Sequence, residues 1–391
     1  MKIQVTKKAE KKMKMGYPLI QKEDIQNGYS IDTKDWVEFI DSKGHFIATG
    51  YVGEQNKGVG WLLNWAGPIN ATFFEEMFSE AKVERIAYIE DETTTAYRLF
   101  NGEGDGVGGL TVDCYGDFAV FSWYNETLFT YKELIVTAFR KVFPEIIGGY
   151  EKIRFTSKEL PESQHIFGGK APEPLMVLEN GVRFATYLNE GLMTGIFLDQ
   201  KEVRGQFVEG FAAGKTLLNM FSYTGAFSVA AAMGGATSTT SVDLAKRSLA
   251  KTQEQFEANH LPLEEQKIIV MDVFDYFKYA VRKQLTFDVI VLDPPSFARN
   301  KKKVFSVAKN YGELVEDAVE ILSNNGVLVA STNAANISLD KYTTMIIEAL
   351  EKKNCIYTIR QTYQLPADFK VNRHFNEGNY LKVLFIEIKK V

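Results

Sequence analysis

Cysteine is nearly absent from this chain: Cys114 and Cys355 are the only two in 391 residues. Two thiols cannot build a disulfide framework or a thiolate metal cluster, so no metal centre is expected and a reducing compartment is. No apolar run is long enough to span a bilayer, and Met1 to Met15 is lysine-rich where a secretion signal would be hydrophobic. These absences predict a soluble protein of the cytoplasm with no membrane partner. Internal repeats and low-complexity tracts are also missing, which excludes a solenoid. Excess positive charge is lacking too, since the formal net charge is −5. Any contact with a phosphate backbone must therefore rest on local clusters. Two clusters qualify: Lys7, Lys8, Lys11, Lys12 and Lys14, and then Arg299 with Lys301, Lys302 and Lys303. An isolated charge run is usually a solvated face, whereas the second run directly follows the most informative segment of the chain.

That segment is Phe287-Asp-Val-Ile-Val-Leu-Asp293-Pro294-Pro295-Ser296. An apolar, β-branched run ends in an acid, and two prolines forbid further sheet pairing. It reads as a buried parallel strand that presents Asp293 and a stiff turn at a sheet edge, where open α/β sheets bind ligands. Upstream, Lys215 to Ser222 reads as a first strand, Tyr223-Thr224-Gly225-Ala226 as a sharp turn, and the alanine-rich stretch beyond as a helix. Gly225 lets backbone amides approach a ligand at a helix N-terminus. The pattern G-x-G-x-x-G is absent, which argues against a dinucleotide pyrophosphate. Thr239 to Asp243 is the next strand, and Asp243 follows Gly225 at about the 20-residue interval at which an acid meets ribose hydroxyls. Its plainer role would be the N-cap of a helix over 244–259. Lys267 to Asp272 repeats the pattern before a helix over 273–283. Three acids, Asp243, Asp272 and Asp293, thus fall along one sheet edge after a glycine turn, which describes a nucleoside site. Gly326 to Thr332 reads as a fifth strand and Leu339 to Glu351 as a helix. Cys355 to Leu365 and Tyr380 to Ile388 then read as an antiparallel hairpin that closes the sheet.

Length alone predicts two or three domains. Up to about Asn70, short apolar segments punctuated by glycine predict a small β-barrel, equally suited to RNA binding or to a structural role. Residues 71–190 predict a central α+β domain with helical stretches at Phe73 to Lys82 and at Thr94 to Leu99. Asn101 to Gly109 holds five glycines in nine residues. No Lys-Ser/Thr follows, so a phosphate loop is excluded and a tight bend between domains is expected. Polar residues from Leu188 to Gln200, with Arg204 beyond, lead into residues 191–391, the expected catalytic domain.

These motifs carry a resemblance over essentially the full length. It rests on the glycine bend running into Gly109-Leu-Thr-Val-Asp113, on Phe197-Leu-Asp-Gln200 with Arg204, on Phe221-Ser-Tyr223-Thr224-Gly225, and on Val291 through Asp293-Pro-Pro-Ser to Ala298. The chain resembles the large-subunit ribosomal RNA methyltransferases that carry a PUA domain, a family best known for its 23S rRNA cytosine-C5 enzymes. The resemblance implies an α/β fold: a Rossmann-like class I methyltransferase sheet with an antiparallel last strand, preceded by the PUA-like barrel and the central domain. It implies S-adenosylmethionine as cofactor, held by Gln200, Arg204, Phe221, Tyr223, Thr224, Gly225, Asp243 (ribose), Asp272 (adenine amine) and Asp293. It implies RNA as partner, 23S rRNA or a large-subunit precursor, and an exposed edge of the central sheet leaves room for a homodimer.

One departure redirects the chemistry. The cytosine enzymes attack C6 with a cysteine that lies just after the fifth strand. Here that place reads Ser331-Thr-Asn333-Ala-Ala-Asn336, without sulfur. A purine nitrogen, such as guanine N7, carries its own lone pair and needs only alignment with the methyl donor. The expected catalytic set is therefore Asp293, Pro294, Pro295, Ser296 and Asn333, the last reading the base edge. The competing readings are a methyltransferase for tRNA or a small metabolite, and a catalytically silent RNA-binding protein.

Overall fold

The computed structural model describes the chain apart from residues 27, 29–32, 56 and 300–303, and apart from the side chains at 298, 299 and 304. The run Lys301–Lys303 therefore lies outside the described residues. Chain contacts divide the protein into two compact units. The first comprises Met1–Val177, Thr186–Thr194 and Ala367–Gly378, and the second Leu178–Ala185, Gly195–Pro366 and Asn379–Val391.

The first unit opens with β1 (Lys2–Gln4), α1 (Lys7–Lys14), β2 (Leu19–Ile20), β3 (Val37–Ile40), β4 (Phe46–Val52) and β5 (Gly60–Asn64). These strands form a sheet in the order β1-β3-β4-β5-β2, and an isolated bridge from Val5 to Ile25 joins the segments following its two outer strands. Alternation along β3 sends Val37 and Phe39 into a core that also buries Ala48 of β4 and Ala9 and Met13 of α1. The outer face of α1 carries Lys7, Lys8 and Lys11, while Lys12 pairs with Asp24 (2.7 Å) and Lys14 with Asp41 (2.8 Å).

The rest of this unit contains α2 (Ala71–Glu84), α3 (Ile86–Ile89), β6 (Ala96–Asn101), β7 (Leu110–Tyr115), β8 (Phe118–Trp123), α4 (Glu126–Phe129), α5 (Lys132–Val142), β9 (Gly148–Ile153) and β10 (Ser163–Gly168). The strands form one sheet in the order β10-β9-β8-β7-β6. The expected helix over Thr94 to Leu99 is not formed, and Ala96 to Leu99 is strand instead. A register shift between Arg98 and Phe100 breaks the period-2 burial of β6, and this break removed the alternation that marks a strand. The glycine-rich bend is likewise not a domain linker: it connects β6 to β7 inside one sheet. Its glycines serve close approach, because a Cβ on Gly108 would stand 2.2 Å from the Trp61 ring. Tyr51 and Trp61 share a core with Phe74, Phe78, Phe100 and Phe121, so the expected boundary near residue 70 falls inside this unit.

The hairpin of β11 (Leu175–Glu179) and β12 (Val182–Thr186) carries the chain onward. The second unit holds α6 (Lys201–Val208), β13 (Thr216–Met220), α7 (Ala226–Met233), β14 (Ser238–Asp243), α8 (Arg247–Glu257), β15 (Gln266–Val270), α9 (Val273–Arg282) and β16 (Phe287–Leu292). A ribbon of β17 (Phe297–Arg299) and β18 (Val304–Ser306) follows. Then come α10 (Val307–Ile321), β19 (Leu322–Thr332), α11 (Leu339–Lys352), β20 (Cys355–Tyr363) and β21 (Lys382–Lys390). The sheet order is β15-β14-β13-β16-β19-β21-β20, parallel through β19, with β21 antiparallel to both of its neighbours β19 and β20. Strands β13 and β16 are largely apolar because both of their faces are buried in the core. Their shared polarity brings the C-terminal ends of β15, β14, β13, β16 and β19 to one edge, in that order.

Candidate active site

The chain turns sharply at the tip of β13. Phe221 and Tyr223 hold φ of 59° and 52°, and Gly225 holds 77° as the residue before α7. Left-handed backbone at bulky aromatic residues costs about 1–3 kcal/mol each and persists where the surroundings enforce it. The enforcing contacts are visible. The Tyr223 amide donates to Asp243 Oδ2 (2.9 Å), and Thr224 Oγ1 donates to the Gly195 carbonyl (2.7 Å). The Tyr223 ring leans on Phe197 with centroids 5.3 Å apart. A Cβ at Gly225 would come within 2.5 Å of Thr252 Cγ2, so glycine is required there by space as well as by φ.

Asp243 does not cap the following helix, which begins at Arg247; its Oδ1 instead accepts from the Ala245 amide (2.8 Å). Each carboxylate oxygen still has a lone pair for a ligand hydroxyl. Leu244 beside it is 57% exposed, an apolar surface for a planar ring. Asp272 does cap a helix: its Oδ1 accepts from the Phe274 (3.0 Å) and Asp275 (3.4 Å) amides at the start of α9. Asp243 and Asp272 thus hold neighbouring strand ends.

Asp293 follows β16 on the other side of the β13 turn. Its Oδ1 accepts from Ser331 Oγ (2.7 Å) and Gln200 Nε2 (3.1 Å), and Gln200 Nε2 also reaches Ser331 Oγ (2.8 Å). Burial, with a smaller push from the neighbouring Asp199 charge, raises the Asp293 carboxyl to about 6. The Ser331 and Gln200 donors pull the other way. Gln200 Oε1 is buried with no hydrogen-bond partner among the described residues, an acceptor in want of a donor. Pro294 and Pro295 stiffen the turn, and Ser296 Oγ then donates to Asn333 Oδ1 at 2.6 Å. The chain just after Asn333 is held by buried Lys382, which donates to the carbonyl of Ala334 (3.0 Å).

The expected residues Gln200, Thr224, Gly225, Tyr223, Asp243, Asp272, Asp293, Ser296 and Asn333 therefore belong to one edge of one sheet. Phe221 lies at the same turn but packs inward against Phe305, with centroids 6.3 Å apart. Arg204 needs correction as a ligand contact. It is 2% exposed, its guanidinium makes a bidentate pair with Glu179 (2.6 and 2.8 Å), and it donates to the Phe197 carbonyl (2.6 Å). Arg204 holds the 197–200 turn in place from beneath. Glu179 lies too far upstream for any local motif to reveal it. Ser331, the first residue of the sulfur-free stretch after the fifth strand, is the principal donor to Asp293.

Neither thiol belongs to this edge. Cys114 lies in the first unit, where burial pushes it up to about 12. Cys355 pairs with Lys390 at the start of β20, while Thr332 at the end of β19 pairs with Lys382. The register thus sets Cys355 at the opposite end of the sheet, and burial raises its pKa too.

Comparison with known proteins agrees with this geometry. The S-adenosylmethionine-dependent methyltransferase family model matches residues 154–369, and a PUA-like domain model matches residues 3–65. The chain is 48% identical to the Bacillus subtilis (strain 168) protein named "Putative ribosomal RNA large subunit methyltransferase YwbD", over 100% of both chains. It is 30% identical to ribosomal RNA large subunit methyltransferase I of Aeromonas salmonicida (strain A449), over 99% of both. A crystal structure of "a putative methyltransferase complexed with SAH" superposes with a TM-score of 0.94 at 49% identity, covering 99% of this chain and 100% of that one.

Proposed function

The chain belongs to the S-adenosylmethionine-dependent methyltransferases, with a PUA-like domain ahead of the catalytic sheet, and we propose that it methylates a ring nitrogen of a purine in the RNA of the large ribosomal subunit. The two relatives named as ribosomal RNA large subunit methyltransferases support the substrate class. The observation that carries the target atom is the pairing of Ser296 with Asn333 beside Asp293, on a sheet whose one cysteine, Cys355, stands at the opposite end.

The residues present fit the cofactor. Asp243 and Asp272 offer carboxylate acceptors for ribose hydroxyls and the adenine amine, and exposed Leu244 next to Asp243 offers an apolar face. The constrained turn 221–225 offers a close backbone approach. Bound S-adenosylmethionine supplies an electrophilic methyl group on a sulfonium. The chain's own task is then alignment. Ser296 donates to the Asn333 carbonyl oxygen, which leaves the Asn333 amide donors for an acceptor on the base edge, such as guanine O6 beside N7. Methylation at N7 needs no base to remove a proton, and it leaves positive charge on the purine. Ionised Asp293 stabilises that charge from the sheet edge. Arg204 acts as a positioning residue, through Phe197 and the 197–200 turn.

Calorimetry with S-adenosylmethionine, followed by transfer of labelled methyl to rRNA from a strain lacking this gene, tests the reading. Heat with labelled rRNA is expected. Heat with label only in tRNA or in free metabolites would reassign the substrate, and no heat at all would favour a silent RNA-binding protein.

A further inference from the structure

Lys382, at the start of β21, is a buried cation without an acid. It is 4% exposed, and among the described residues no carboxylate pairs with it. Its ammonium donates instead to two backbone carbonyls, those of Ala334 (3.0 Å) and Tyr380 (2.9 Å). Burial lowers its pKa. Carbonyl dipoles compensate a buried ammonium only in part, so this placement costs stability that an apolar side chain of similar volume would not. The register of β21 shows what the charge reaches. Lys382 stands opposite Thr332, the last residue of β19, and Asn333 opens the turn that follows. That turn is pinned on both sides of Asn333. Before it, buried Thr332 accepts at Oγ1 from the Ala334 amide (3.2 Å). After it, the buried Ala334 carbonyl accepts from Lys382 and, at a longer 3.4 Å, from the Ile337 amide. Asn333 faces outward between these two buried neighbours, where Ser296 Oγ meets its Oδ1.

We propose that Lys382 is a positioning residue for Asn333: it clamps the 332–337 turn so that the Asn333 amide is held against the edge of the target base. The proposal deepens the RNA-methylation reading above and rests on it. Of the two donors on the Ala334 carbonyl, the charged one is both the shorter and the stronger. An apolar side chain at 382 would fill the space and spare the buried charge, yet it would leave that carbonyl to the long Ile337 bond alone. A misplacement of about 1 Å at Asn333 is then enough to spoil alignment of the base with the methyl donor.

The test compares K382M, N333A and the double variant K382M/N333A with wild type, using rRNA from a strain lacking the gene and labelled S-adenosylmethionine. K382M should lower kcat on RNA by about 10- to 100-fold with little change in KM, because alignment fails after the RNA has bound. Its affinity for S-adenosylmethionine, read by calorimetry, should be unchanged, and its Tm should equal or exceed that of wild type. In the double variant the added effect of K382M should nearly vanish, since a clamp is idle without the side chain it positions. If K382M does not fold, T332V decides the matter: it removes the hydroxyl that pins the same turn from its other end, and the same non-additivity with N333A is expected. Wild-type kcat in K382M, or effects of K382M and N333A that multiply, would overturn the clamp while leaving the methyltransferase reading intact. A folded K382M that melts lower and loses cofactor affinity along with activity would overturn it equally, as the mark of a merely structural lysine. Wild-type enzyme that labels no RNA would overturn the functional reading and this one with it.

Discussion

Replacing Asp293 by asparagine should make the protein more stable and less active at the same time. The carboxyl moves from 3.8 to about 6 on folding, chiefly because burial disfavours its charge. Each pKa unit is worth about 1.4 kcal/mol, so above pH 6 the ionised group costs the folded state on the order of 3 kcal/mol. In D293N the side-chain oxygen can still accept from Ser331 and Gln200, and the charge is gone. Weaker hydrogen bonds to a neutral acceptor offset part of the gain, leaving a net stabilisation of about 1–2 kcal/mol. For a domain of this size that corresponds to a rise in Tm of roughly 2–8 °C. The sign of the pH dependence follows from the raised pKa. Between 3.8 and about 6 the folded state binds a proton that the unfolded state does not. The contribution of Asp293 to stability therefore falls as pH rises through that window and stays low above it. The Tm difference between D293N and wild type should be full near pH 8 and should nearly vanish near pH 4. Wild-type turnover should rise with pH through about 6 as Asp293 ionises, and D293N should be poorly active throughout. Thermal unfolding of both proteins across this range is the assay. Equal melting near pH 8, or a less stable D293N, would refute the argument that burial strains this carboxylate.

The other acids separate structural from ligand roles. D272A should lose about 1 kcal/mol of stability, because Asp272 caps α9, and should also bind S-adenosylmethionine more weakly. D272S should restore the cap, read by denaturation, without restoring affinity, read by calorimetry. D243A should weaken cofactor binding by about 1.5–3 kcal/mol through loss of charge-assisted hydrogen bonds, and unchanged affinity would move the ribose contact elsewhere. R204M should cost about 3–5 kcal/mol by leaving Glu179 buried and unpaired, and the double variant R204M/E179M should recover most of it in a thermal melt.

The catalytic sheet was legible because its signals are local. Asp243, Asp272 and Asp293 each stand at or just beyond the end of a short strand, and parallel strands bring such ends to one edge. The antiparallel finish was equally plain, since no helix separates β20 from β21. What escaped was long-range or irregular. Arg204 reads as a cation near a ligand until Glu179, on a distant hairpin, is seen to neutralise it. Strand β6 reads as helix because its register shift spoils the alternation. The glycine run reads as a linker because nothing in it names Trp61 as the neighbour that demands it.

The most direct test of the account is the identity of the methylated nucleoside. Large-subunit rRNA from a strain lacking this gene would be treated with the enzyme and labelled S-adenosylmethionine, digested, and resolved by mass spectrometry. The absence of a thiol at the β19 tip and the Ser296–Asn333 pair predict label in a purine methylated on nitrogen. Label in 5-methylcytidine would contradict the account, because that product requires a nucleophile this sheet edge does not carry.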